Sequence, residues 1–130
     1  MSRGIIDQIL SYLADRSNKV NQVIWGSRSD SSQYNWSSGT ISVPKINDYC
    51  LFAIRPYGNA TWMIAYRTPG DPNFRAIGGN ISATPNQFTF MFSATVSGTT
   101  LTYVKCTDIN VSGTSHTSHG IATIVGLVPV

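Results

Sequence analysis

The chain has 130 residues, enough for one domain with its own core and too few for two. Charged residues are only 12% and hydrophobic residues 42%, a profile that suits strands with hydroxyl-bearing faces and disfavours helices with solvated charged faces. The net charge of +3 comes from nine Lys and Arg spread singly along the chain, without the clustering that a nucleic-acid surface requires.

Residues 4–25 carry the one helical pattern. Ile6, Ile9, Leu13, Arg16, Val20 and Val23 are spaced alternately by 3 and 4 residues, a heptad seam with one charged member. Ile5, Leu10, Tyr12 and Ile24 widen it. An amphipathic helix lying on its own β domain and a short coiled coil both give this spacing. The polar run from Gly26 to Ser32 follows as a linker or surface loop, which gives the helix the position of a stalk. The first 20 residues lack the continuous apolar core of a secretory signal, and no run reaches membrane-spanning length, so folding in a cytoplasm is expected.

From Trp36 onward the chain reads as short strands. Thr40–Val43 is closed by Pro44, Tyr49–Arg55 is nearly continuously apolar, and Ala60–Arg67 follows a Pro56-Tyr57-Gly58-Asn59 turn. Phe74–Ile77 and Ile81–Ala83 flank Gly78-Gly79-Asn80, and Ile121–Val128 closes the chain after a loop at 108–120. The centre is the hairpin of residues 87–106. Phe88, Phe90, Phe92, Ala94 and Val96 fall on one face, with Met91 breaking the polar face opposite. Leu101, Tyr103 and Lys105 alternate on the return strand. About eight strands with regular turn signals and no intervening helix predict an all-β, jelly-roll-like antiparallel β-sandwich preceded by an N-terminal α-helix. The expected division is a helical stalk over 1–26, a linker over 27–35 and a head over 36–130.

Catalytic chemistry is sparsely provided. There is no glutamate, and Asp48, Asp71 and Asp108 sit at strand ends or turns, where Asp bonds its own backbone. His116 and His119 lack a nearby Cys or carboxylate at metal-ligand spacing, and neither a nucleophile elbow nor a phosphate-cradling loop is present. No catalytic, cofactor or metal residue is assigned. Cys50 and Cys106 lie in strand-like runs, as buried free thiols or as a disulfide. Trp62 and Tyr66 share a strand face with Ala60 and Ile64, explained most simply by core or subunit packing. Loop aromatics beside polar groups suit a sugar surface, which makes Tyr57, Asn59, Asp71 and Arg75 the candidate ligand-binding residues.

Trp36-Ser37-Ser38-Gly39-Thr40-Ile41-Ser42-Val43, followed by Tyr49-Cys50-Leu51-Phe52-Ala53-Ile54, resembles the opening of C-terminal head domains in tailed-phage fibre and receptor-binding proteins. Ile121–Leu127 is similar to their closing strand, and Ser115–His119 stands where such domains carry a Ser/His-rich segment. The resemblance implies a homotrimeric virion protein whose heads stand on a stem and contact host-surface carbohydrate. Other virion proteins would bind through the N-terminal segment, with no nucleic acid and no membrane insertion. Ile6, Ile9, Leu13, Val20 and Val23 would then form the oligomerisation seam. The alternatives are a purely structural decoration or capsid protein and, against the lack of glutamate, a glycan depolymerase.

Overall fold

The computed structural model describes residues 2–28, 34–58, 61–80, 88–110, 113, 115–116 and 119–130, without the side chains of Ser2, Arg3, Asn80, Phe88, Asn110 and His116. In chain order the elements are α1 (Ser2–Lys19), β1 (Gln22–Gly26), β2 (Thr40–Ser42), a 3-10 turn at Ile46–Asp48, β3 (Tyr49–Pro56), β4 (Met63–Tyr66), β5 (Asn73–Asn80), β6 (Phe88–Ser97), β7 (Thr100–Asn110), β8 (Ser115–His116) and β9 (Ile121–Pro129). The expected all-β architecture with one N-terminal helix is what the structure shows. The expected strand at Ile81–Ala83 lies outside the described residues.

The strands pair antiparallel in one sheet, in the order β1-β9-β3-β4-β5-β6-β7-β2, with β8 on β7. The two opposed layers are halves of this one sheet, which curls on itself. Phe52 and Phe74 show the curl. Their strands are two apart, about 10 Å in a flat sheet, yet the ring centroids are 5.0 Å apart. The edges are drawn together by residues 36–42. Trp36 bridges Ile121 in β9, Gly39 O accepts from Tyr103 N in β7, and β2 continues along β7.

The core is the inward face that alternation predicts. Phe90, Phe92, Ala94 and Val96 from β6 meet Phe52, Ile54, Met63, Ala65, Phe74 and Leu101, all buried. The rings touch edge to face in a chain, Phe52–Phe74–Phe92–Trp36–Tyr103, with centroids 5.0–6.1 Å apart, the arrangement that ring quadrupoles favour.

Boundaries differ from the sequence reading in several places: β5 runs through Gly78-Gly79-Asn80, β7 reaches Asn110 and β8 falls inside the expected 108–120 loop. Two departures shape the rest of the fold. The helix ends at Lys19 instead of reaching residue 25. Asn21 adopts φ +59, a left-handed conformation that Asn tolerates at a helix end, and Arg28 donates to its carbonyl and side-chain oxygens. Gln22-Val23-Ile24-Trp25-Gly26, rich in β-branched and aromatic residues, then pairs with β9. The segment expected as the end of the stalk is thus part of the sheet, and Val20 and Val23 are not on the helix. A bulge between Val23 and Trp25 turns Trp25 towards Trp36, 6.1 Å away, and Tyr34, 5.5 Å away.

The second difference is a bulge in β7. Ala94 pairs with Tyr103, but Ser93 pairs with Lys105, so Tyr103 and Val104 together oppose one step of β6. Alternation puts Tyr103 and Lys105 on one face. The extra residue instead leaves Tyr103 against the core, turns Lys105 to the outer face and brings Cys106 inside.

Candidate functional site

The four sequence-predicted ligand residues do not come together. Tyr57 follows β3 at one end of the sheet, its N–H donating to Gly120 O at 2.7 Å. Asp71 lies at the opposite end. Its Oδ1 accepts from Asn73 N and its carbonyl from Arg67 Nε, both at 2.9 Å, so it braces its own loop. The length of β3, eight residues or about 26 Å at 3.3 Å each, separates the two ends. Arg75 stands on the outer face of β5 between them, and Asn59 lies outside the described residues.

Around Arg75 the sheet itself makes a site. Register places Arg75, Ser93 and Lys105 side by side on β5, β6 and β7, on the same outer face. The two cations are separated by two strand spacings, about 10 Å between backbones, within reach of each other's long side chains over Ser93. One step along the strands lie Ile77, 58% exposed, and Met91, 39% exposed. Together these residues border a shallow depression of about 470 Å³. Among the described residues no carboxylate forms an ion pair with Arg75 or Lys105. Met91 was the visible sequence signal, an apolar residue on a polar face. Ser93 and Lys105 were missed because the bulge that aligns them leaves no mark in composition.

Ile77 and Met91 belong to a longer apolar row. Val23, Val125, Ala53, Ile64, Ile77 and Met91 are successive cross-strand partners on the outer face of six strands. Val125 and Ala53 are buried, whereas Ile64 is 47% exposed. Trp62 and Tyr66 lie on the same side of β4 and are exposed, so core packing does not account for them; Met63 and Ala65 fill the core instead. Trp36 is a core residue.

The second uncovered surface is α1, whose described residues 4–19 are all exposed except Arg16. Ile5, Ile6, Ile9, Leu10, Tyr12 and Leu13 are each 53–60% exposed and, at 100° per residue, form an apolar band roughly 160° wide. The helix touches the sheet chiefly at β9, where Arg16 donates to the carbonyls of Val130 (3.0 Å) and Pro129 (3.3 Å). Its own domain therefore leaves the band uncovered.

Inside the sheet, Asp108 is buried and its Oδ2 lies 3.2 Å from His119 Nε2, while Tyr103 Oη donates to His119 O. No group of three or more His, Cys, Asp or Glu able to hold a metal occurs among the described residues. Cys50 and Cys106 are free thiols on different strands. Burial first, and Asp108 second, push Cys106 up from 9.0 to about 12, so it is a neutral thiol and a poor nucleophile. Tyr49 and Tyr103 are raised as well, both mainly by burial.

These shifts fix an alkaline limit. A group held neutral by the fold contributes its full stability below its unfolded value and loses it as pH climbs through the folded one. The urea midpoint is therefore expected to fall between about pH 9 and 12. A Cys106→Ala variant should show a shallower fall, and at pH 8 a thiol reagent should label Cys106 in native protein only at the rate of unfolding. Rapid labelling of Cys106 would contradict its burial.

No protein-family model, curated protein or solved structure matches the chain.

Proposed function

We propose that this chain is a non-enzymatic virion protein, a β head on a short helical stem that assembles as a homotrimer and contacts host-surface glycan. The apolar band of α1 carries the assembly part of this reading. Six large apolar side chains over two to three turns stay more than half exposed, Tyr12 meeting only Arg16 of the same helix, a surface that a lone soluble helix does not sustain. The band extends beyond the Ile6–Ile9–Leu13 seam onto its flanking positions. That breadth suits three or more helices better than two.

The virion and glycan parts rest on the sequence resemblance at Trp36–Ile54 and Ile121–Leu127. The non-enzymatic part is supported by Asp71 and Asp108, each engaged in local structure away from a common cleft.

Light scattering behind a sizing column tests the assembly. Wild-type protein is expected near 42 kDa, three times the 14.1 kDa chain. Leu13→Asp places three carboxylates in the seam and is expected to give monomers without altering the head. A wild-type monomer, or a Leu13→Asp variant that keeps the wild-type mass, removes the stem from the proposal.

A further inference from the structure

We infer that the outer face of β5, β6 and β7 binds an acidic sugar. The carboxylate or phosphate lies over Ser93 between Arg75 and Lys105, and the apolar face of the ring rests on Ile77 and Met91. The inference builds on the glycan-contact reading above and adds the charge class and the place.

Three observations converge here. First, the cations are aligned by register on β5 and β7, on either side of the Ser93 hydroxyl of β6, so an anion over Ser93 can accept from all three side chains. Second, no carboxylate pairs with either cation among the described residues, so both charges stay available to a bound anion. Third, the depression has an apolar side as well as a charged one, made by the half-exposed Ile77 and Met91. A bare inorganic anion uses only the charged half, while a sugar acid or sugar phosphate uses both. The β7 bulge makes the site possible: in regular alternation Lys105 would point to the core side and Val104 would face Ser93.

The test is a panel of immobilised glycans, with uronate-bearing and phosphate-bearing oligosaccharides beside their neutral methyl-ester and unphosphorylated counterparts. The full chain is expected to bind acidic members, to lose them as salt rises and to ignore their neutral counterparts. Arg75→Ala and Lys105→Ala, on an exposed strand face, should keep the wild-type urea midpoint and each bind about tenfold more weakly, the loss of one charge-assisted hydrogen bond. Preference between the carboxylate and phosphate arms identifies the anion. Binding confined to neutral glycans, or unchanged binding in both variants, overturns this inference and leaves glycan contact standing. Binding to no member overturns both.

Discussion

Gly126→Ala is expected to destabilise the fold by about 3 kcal/mol, the upper range for overpacking a filled core. Gly126 lies in the middle of β9, paired with Phe52 of β3 and Gln22 of β1. A Cβ there would stand 2.6 Å from three ring atoms of Tyr49, far inside van der Waals contact. The ring cannot swing aside, because Tyr49 is buried and packed edge to face on Phe52 at 6.3 Å. The ring thus takes the place of the side chain that the glycine lacks. In a Tyr49→Ala background the same change should cost less than about 1 kcal/mol, since the clash is gone. Urea unfolding of the single and double variants measures both. Equal costs in the two backgrounds would mean that the ring does not set the glycine.

The second large effect is expected at Arg67, which is buried although it carries a full charge. Burial lowers its pKa and neighbouring Asp71 partly restores it, so the cation is held at a desolvation cost. Its hydrogen bonds offset that cost. Nη1 donates to Asn47 Oδ1 and Nε to Asp71 O, each at 2.9 Å. Asn47 Oδ1 also accepts from Gly70 N, and Asn47 Nδ2 donates to Gly98 O. One guanidinium therefore fastens the 3-10 turn, the β4–β5 loop and the β6–β7 turn. Arg67→Met keeps most of the volume and should cost about 2 kcal/mol from the lost charge-assisted bonds. Arg67→Ala adds a cavity and should cost about 4 kcal/mol. Unfolding midpoints rank the two, and a Met variant as stable as wild type would make the network dispensable.

The strands were legible where side-chain period and burial coincide. Phe90, Phe92 and Ala94 face the core as their spacing requires, and Met63 and Ala65 do the same in β4. What the sequence did not disclose lies where the backbone departs from period. Val20 and Val23 continue the helical spacing arithmetically, yet Asn21 ends the helix and the pairing of Val23 with Val125 claims the second valine for the sheet. A short apolar run serves either element, and only the partner strand, about 100 residues away, decides. Lys105 reached the outer face through a bulge that becomes visible only once β6 and β7 are in register. Tyr57 and Asp71 were grouped by composition. Their loops lie at opposite ends because each strand reverses direction, and composition carries no information about ends.

The place of β9 also has a consequence in time. It is the shared neighbour of β1 and β3, and its first residue receives Trp36. The run from β3 to β7 pairs neighbours in sequence, so it can form as a meander of local hairpins. The pairings of β1 and β3 with β9, and of β2 with β7, span long stretches of chain and carry the entropy of closing large loops. During synthesis the apolar edge of β3 stays unpaired until residues 121–129 emerge. Docking of β9 is therefore the step that completes the sheet, and the interval before it is when the growing chain exposes the most unpaired strand edge.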